Sequence, residues 1–213
     1  MKKPHVVKET KREIREKSPP PLSNIRAHFW LTHGGMKLYK KHLEKNKILE
    51  LYISKIVEEK IRNHSLKFKN ENKEVMGFLL GDVFRYKDKI YAVAKDIATT
   101  DLDASMISVR FQRNGFEKLF EQMDSIAFDY IIVGWYHSHP GHHCFMSKTD
   151  IKTQKHIFNK EFHSAIVIDP INKEIEAYKL AGKGYKVRSF AVYWDEYQDP
   201  YRRVVKVMKR RRE

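Results

Sequence analysis

Four histidines, the chain's single cysteine, two serines and an aspartate fall within the seventeen residues Gly134 to Asp150, GWYHSHPGHHCFMSKTD. Imidazole, thiolate and carboxylate are the side chains that ligate transition metals, so the segment is either a metal site or a polar loop that happens to hold histidines. His137 and His139 stand two apart at the end of the apolar run Tyr130-Ile131-Ile132-Val133. A strand there would put both imidazoles on one face. Asp150 follows Ser147 by three residues. If Ser147 opens a helix, Asp150 lies in its first turn and can supply an oxygen ligand. Two histidines and a carboxylate suit a catalytic zinc, which leaves its fourth position to water. Pro140 and Gly141 would turn the chain out of the strand and let the aspartate return. A structural reading uses the same letters: Ser-x-x-Asp resembles a capping box, and a lone His-x-His is often a surface pair. Water on a metal also needs a base, and Glu74, just ahead of the apolar VMGFLLG, is the candidate. Spacing alone does not bring Glu74 to the histidines.

The elements that must position these residues are legible in outline. EVMGFLLGDVF reads as a buried strand, RYKDK as a tight turn and IYAVAKDIA as the returning strand of a hairpin. YIIVGWYH reads as a central strand. Ser147 opens a helix through KTDIKTQKHIF; HSAIVIDP and KEIEAYKL are two strands joined by a turn at Pro170-Ile171-Asn172, and KVRSFAVYW is one further strand. Ile53, Ile56, Val57, Lys60 and Ile61 trace a helical stripe, and Phe116, Leu119, Phe120 and Met123 another. Lys37–Lys47 predicts a basic helix, HFWLTHGG a short strand or turn, and Thr99–Ser108 an irregular polar loop. Residues 1–24 predict disorder or loose helix, broken by SPPPLS, and YRRVVKVMKRRRE a basic helix or tail. There are no internal repeats. The sum is a mixed α/β fold, a central sheet with helices on its faces.

The chain has 213 residues, 41% of them hydrophobic, enough for one substantial core. Its formal charge of +15 is all in the flanks. Residues 1–47 hold 13 Lys and Arg against 4 Asp and Glu, residues 183–213 hold 10 against 4, and residues 48–182 hold 19 of each. Basic arms of this kind meet an acidic partner or serve only as solvated tails. No spacing for a specific nucleic-acid module is present, so nucleic acid is not the expected partner. The sequence predicts no signal peptide and no membrane span. A lone Cys144 fits a reducing cytoplasm.

Glu74 with Gly77, Leu79 and Gly81, then HSHPGHHCFMSKTD, resembles the JAMM motif of the MPN+ metallopeptidases: Glu, a long gap, His-x-His-Pro, six residues, Ser-x-x-Asp. The resemblance spans roughly Ile48 to Leu180. VGWYHSHPG, TDIKTQ and VIDPI look most like the proteasome-lid deubiquitinase and its archaeal relatives. It implies a cytidine-deaminase-like sandwich whose central sheet is mostly antiparallel with flanking helices. It also implies three parts: a basic, partly disordered extension at 1–47, the metallopeptidase domain at 48–182, and a strand with a basic segment at 183–213. His137, His139 and Asp150 would bind one catalytic zinc, Glu74 would be the general base, and Ser147 would hydrogen-bond the oxyanion. The substrate would be the isopeptide bond after the C-terminal glycine of ubiquitin or a ubiquitin-like protein. A loop of Thr99, Thr100, Asp101, Leu102, Asp103, Ala104, Ser105 and Met106 would pair with its extended tail. A proteasome or another MPN subunit would be the partner.

The chain departs from the lid enzyme's pattern where an aromatic residue and a glycine give way to His142 and His143. These histidines are either substrate-facing or supporting groups, or tolerated loop residues. Cys144 as ligand or nucleophile is disfavoured, because the spaced motif already completes the site. The lid enzyme's long C-terminal helical region has no clear counterpart after Leu180. The same motif also admits a peptidase that trims a small sulfur-carrier or modifier precursor. An MPN scaffold without catalysis would lack the metal ligands that this chain retains.

Overall fold

Met76–Tyr86 and Lys89–Thr99 form a long antiparallel hairpin, β4 and β5, joined by two residues with left-handed backbone, Lys87 and Asp88. Left-handed φ at both central positions defines the turn whose twist matches that of paired strands. The computed structural model describes residues 14–45, 47–71, 73–99, 130–182 and 184–194. Before the hairpin come β1 (Arg15–Glu16), β2 (Ile25–Arg26), helix α1 (His33–Glu44), β3 (Leu51–Ser54) and helix α2 (Lys55–Lys67). After it come β6 (Ile131–Ser138), helix α3 (Lys148–His156), β7 (Ser164–Asp169), β8 (Glu174–Ala181), β9 (Gly184–Val187) and β10 (Phe190–Tyr193).

Among the described residues the strands make one sheet in the order β2-β10-β3-β5-β4-β6-β7-β8-β9, with β1 beside β4. Five of the nine pairings are antiparallel, including the two made by β4 with β5 and β6. Only Arg188 and Ser189 separate β9 from β10, which lie towards opposite ends of the strand order. The sheet therefore curls until its ends approach. Helix α2 sits against one face, where Val57 and Ile61 pack with Leu51, Ile53, Leu79 and Val133. On the other face Phe158, just beyond α3, packs with Met76, Phe78 and Trp135. Tyr39 of α1 joins Ile25, Tyr52 and Tyr91. Each fully buried side chain of this kind contributes about 1.5–3 kcal/mol.

The mixed α/β fold, the hairpin, the central strand and the helix opened by Ser147 are as the sequence predicts. Other elements differ. Ile53 belongs to strand β3, not to a helical stripe; β3 is buried throughout, and the helix begins only after Ser54, whose side chain accepts the Val57 N–H. Ile56 is 41% exposed and lies off the buried face. Helix α1 starts at His33, earlier than predicted and through both glycines, because Thr32 caps it by accepting the Gly35 N–H at 3.1 Å. The predicted single strand KVRSFAVYW is two, because its halves pair at different places in the sheet. Residues 14–24 form β1 and a short 3-10 turn at Leu22–Asn24, not a loose helix. The helix predicted around 116–123, the basic C-terminal segment at 201–213 and residues 1–13 lie outside the described residues.

Glu176 in β8 is 2% exposed beneath the start of α1. It accepts hydrogen bonds from the Thr32 hydroxyl and the Ala177 N–H. A Cβ on Gly35 would lie 2.6 Å from both its carboxylate oxygens, so any larger residue there would have to displace the Glu176 side chain. Burial pushes the Glu176 carboxyl up to about 7, against the lowering effect of those hydrogen bonds. A carboxyl with a raised folded pKa stabilises the fold most below its ordinary value near 4.5, and that contribution is lost as pH rises through about 7. Glu176→Gln should therefore gain on the order of 1–3 kcal/mol relative to the parent between pH 5 and pH 8. Urea unfolding of both proteins at the two pH values checks this, and an unchanged difference between them would remove the assignment.

Candidate metal centre

The site is built where β6 ends and α3 begins. The β4–β6 ladder pairs Met76 with His137. It shifts register between Leu79 and Leu80, opposite Gly134, whose φ is +157°. A Cβ on Gly134 would lie 2.1 Å from the Ser164 carbonyl oxygen, so this close approach of β6 to β7 requires glycine. Beyond the bulge the strand carries Trp135, His137 and His139 towards one side. At its end Ser138 locks β6 to the start of β4 twice. Its N–H donates to the Val75 carbonyl at 2.9 Å, and its hydroxyl accepts the Val75 N–H at 2.8 Å. The register that pairs Met76 with His137 thus carries Glu74 to His139, which spacing alone could not do.

Past His139, Gly141 and His143 both adopt left-handed backbone, with φ of 79° and 64°. This turn reverses the chain, and Ser147 opens α3. The Ser147 hydroxyl accepts the Asp150 N–H at 3.1 Å, and Asp150 Oδ2 accepts the Ser147 N–H at 2.7 Å. The capping box and the third site residue are therefore one feature, not alternatives. Helix and strand are joined below by the Trp135 indole N–H, which donates to Gln154 Oε1 at 2.6 Å. The Trp135 ring also stacks on His137, with centroids 4.4 Å apart and planes 15° apart.

The result is a convergent cluster. One ligand atom each from His137, His139 and Asp150 lies within 4.8 Å of the others. Asp150 Oδ2 is 3.5 Å from His137 Nε2 and 3.6 Å from His139 Nε2. Burial works against ionisation of Asp150. The two imidazoles and Ser147 outweigh it and hold the carboxyl far below the usual range. Burial likewise works against a charged His139, but Asp150 and Glu74 raise its pKa. His137 and His139 are each 4% exposed. Among the described residues, both ring nitrogens of His137 and Nδ1 of His139 lack a hydrogen-bond partner. Leaving such a group buried and unmet costs about 1–3 kcal/mol. Two buried imidazoles with unmet nitrogens facing an ionised carboxylate fit a divalent cation with nitrogen and oxygen ligands, zinc first among them.

A cavity of about 290 Å³ opens onto the cluster. Glu74, Ser147 and His142 line it together with His137, His139 and Asp150, and Val75, Met76, Trp135 and Phe145 form its apolar wall. The structure thus brings together all five residues singled out for metal and catalysis. His142 faces this cavity, whereas His143 is 3.2 Å from Glu174 at the surface. The Cys144 thiol donates to the Val167 carbonyl at 3.3 Å, and burial pushes its pKa well up. That makes it a packing residue, as disfavouring it as ligand or nucleophile requires. Thr99 ends β5 opposite Gly77; Thr100–Met106 lie outside the described residues. Sequence reasoning missed Ser138, Trp135 and Gln154. Ser138 between the two histidines was the only signal available for them.

Residues 46–160 match the family model described as JAB1/Mov34/MPN/PAD-1 ubiquitin protease. The chain is 32% identical over 133 residues to COP9 signalosome complex subunit 5 of Debaryomyces hansenii, covering 60% of this chain and 26% of that protein. It is 30% identical over 146 residues to the 26S proteasome regulatory subunit RPN11 of Eremothecium gossypii, covering 65% and 45%. It is 31% identical over 118 residues to the ubiquitin carboxyl-terminal hydrolase RPN11 of Saccharomyces cerevisiae, covering 52% and 38%. The chain thus spans less than half the length of these curated relatives. A solution structure of a protein from Desulfitobacterium hafniense shares the fold, with a TM-score of 0.52 at 18% identity over 70% of this chain and 97% of that one.

The geometry makes a definite forecast for the metal. Zinc should bind at about one ion per chain and raise the melting temperature. His137→Ala and Asp150→Ala should each abolish both effects, while the double change His142→Ala with His143→Ala should keep them. Metal analysis and thermal melts on the same preparations decide it. Full zinc in both single variants would sink the cluster as the binding site.

Proposed function

This chain belongs to the JAB1/Mov34/MPN/PAD-1 ubiquitin protease family, and from that premise we propose that it is a zinc-dependent isopeptidase. Its substrate class is the bond between a lysine and the C-terminal glycine of ubiquitin or a ubiquitin-like modifier. The observation that carries this reading is the convergence of five polar groups on one small cavity. An MPN scaffold without catalysis has no need of a carboxylate such as Glu74 beside such a cluster.

His137, His139 and Asp150 would hold the ion in this reading. Zinc, when bound, supplies a Lewis acid that acidifies water to a pKa near 7 and polarises the scissile carbonyl. With the ion bound, the Glu74 carboxylate would accept a proton from the attacking water and would pass it to the leaving lysine amine. The Ser147 hydroxyl accepts the Asp150 N–H through a lone pair and keeps its own proton. It is therefore free to donate to the oxyanion while still capping α3. The two histidines are nearly fully buried while Glu74, Ser147 and Asp150 are half buried, so a substrate carbonyl would approach from the side of these three.

The cavity, near the small end for ligand sites, suits an extended tail of small residues better than a folded chain. The register supports a role for Thr99 and the segment Thr100–Met106, since Thr99 pairs with Gly77, next to Met76 on the cavity wall. As partners we propose modifier conjugates and another MPN subunit, by likeness to relatives named as subunits of the proteasome and the COP9 signalosome. Among the described residues no helix is long and apolar enough to cross a membrane, and a cytoplasmic setting belongs to the same proposal.

Glu74→Gln keeps shape and hydrogen bonding but cannot take the proton. Zinc content should stay at the parental level while kcat on ubiquitin or ubiquitin-like conjugates falls at least about 10²-fold. Ser147→Ala should also keep zinc and lose about 10²–10³-fold in kcat. It should additionally destabilise the protein by about 1 kcal/mol, because the same oxygen caps a helix. Turnover, metal content and conjugate binding measured together separate the outcomes. A parental rate for Glu74→Gln would refute the assignment of the base, and loss of zinc from it would make Glu74 a ligand.

A further inference from the structure

Asp169 ends strand β7 and is fully buried. Its carboxylate accepts five hydrogen bonds, and they come from two directions. From the turn after His139 come the N–H groups of Gly141, at 2.9 Å to Oδ1, and His143, at 2.7 Å to Oδ2. From the β7–β8 turn come the N–H groups of Ile171, at 2.9 Å, and Asn172, at 3.0 Å, both to Oδ1, and the Asn172 side-chain amide, at 2.7 Å to Oδ2. A fourth-shell ornament would not be placed like this. The two donors on the metal side belong to the two residues whose backbone is left-handed, and His143 has a Cβ that disfavours that conformation. His139 itself is tied to the same strand, its N–H donating to the Ile168 carbonyl at 2.9 Å.

We propose that Asp169 is the positioning residue of the metal centre: by holding the Pro140–His143 turn in its left-handed form, it fixes His139 and returns the chain to Ser147 and Asp150. This rests on the reading of His137, His139 and Asp150 as the metal site. The chemistry requires an ionised carboxylate. Two oxygens with several lone pairs can meet five N–H donors at once, whereas an amide at this place presents one acceptor oxygen and an NH₂ group. In Asp169→Asn that NH₂ group would face N–H donors of His143 and Asn172 or of Gly141, and the turn would open. The ligands themselves would all remain in the chain, so a change in metal binding would come from their placement.

The test uses the full chain and zinc alone as probe. Parent and Asp169→Asn are titrated against a chromophoric chelator, and cobalt(II) in place of zinc reports the ligand geometry through its visible absorption. Asp169→Asn should bind zinc about 10–100-fold more weakly than the parent, the range for lost support of a metal ligand, and its cobalt spectrum should change. Asn172→Ala is the control for mere structure. It removes a hydrogen bond from the β7–β8 side only, so it should lower the urea midpoint and leave zinc affinity and the cobalt spectrum at parental values. Glycine at 143 accepts the left-handed backbone without a clamp, so adding His143→Gly to Asp169→Asn should restore part of the lost affinity. If Asp169→Asn does not fold, that double variant is the one titrated, against His143→Gly alone. Parental zinc affinity and an unchanged cobalt spectrum in the folded Asp169 variant would overturn the proposal. A parent that binds no zinc would instead overturn the metal site on which it rests.

Discussion

The carboxylate of Asp150 is committed to its own helix before it meets anything else. Its Oδ2 accepts the N–H of Ser147 while the Ser147 hydroxyl accepts the N–H of Asp150, so helix α3 cannot begin elsewhere without breaking both bonds. An N-cap of this kind is worth about 1 kcal/mol, small beside the cost of burying an ionised carboxylate without a counter-charge. What offsets that burial is the pair of imidazoles on the other side. The three groups therefore share one requirement, a positive charge among them, and protons or a metal ion can satisfy it. Protons leave ring nitrogens of His137 and His139 without acceptors. A divalent ion can take up ligand nitrogens that would otherwise go unmet. The site is consequently a place where the fold holds unfavourable groups together in advance, and binding energy becomes folding energy.

That arrangement survives only if strand and helix keep a fixed relation, and several contacts secure it. The Trp135–Gln154 hydrogen bond joins β6 to α3 directly. The same indole stacks on His137 and on Phe158, filling the space into which the imidazole would otherwise swing. On the opposite flank Ser138 grips Val75 through both backbone and side chain, which holds Glu74 in register beside His139. A residue lying between two ligands on a strand faces away from them. Ser138 thus holds Glu74 in place while its neighbours His137 and His139 face Asp150, and one tripeptide sets the geometry of both.

How much of this could be read from the sequence follows from the range of each interaction. Ser147-x-x-Asp150 and His137-x-His139 are local, and their periodicities alone put the side chains on shared faces. Glu74 is remote. Its place depends on which strand pairs with which and on a one-residue bulge at Gly134, and no spacing rule encodes either. The resemblance to a known motif supplied what the physics of short segments could not. Ile53 was misassigned because a short buried strand running into a helix mimics a helical stripe; the break is marked only by Ser54, whose capping role shows when Val57 is seen to donate to it. KVRSFAVYW hid its division because both halves are extended and only their different partners in the sheet separate them, although the first half is part exposed and the second is buried.

Residues that look reactive in the sequence are distinguished in the fold by what surrounds them. Cys144, His142 and His143 stand side by side, within ten residues of both metal-side histidines and Asp150. Cys144 is tied to Val167 and Tyr178 through its thiol and carbonyl, and burial raises its pKa, which disfavours the thiolate that would attack or ligate. His143 turns outward to Glu174 because its left-handed backbone points its side chain away from the cavity. His142, between the clamped residues Gly141 and His143, is left facing the cavity. The turn therefore sorts three neighbouring candidates into a packing residue, a surface residue and a cavity residue, through its backbone conformation and the hydrogen bonds that hold Cys144. At that position on the cavity, the His142 imidazole offers a contact that can donate or accept a hydrogen bond. The cavity wall is therefore polar on the His142 side, while Phe145, packed on His139 at 4.7 Å between ring centroids, keeps it apolar on the other.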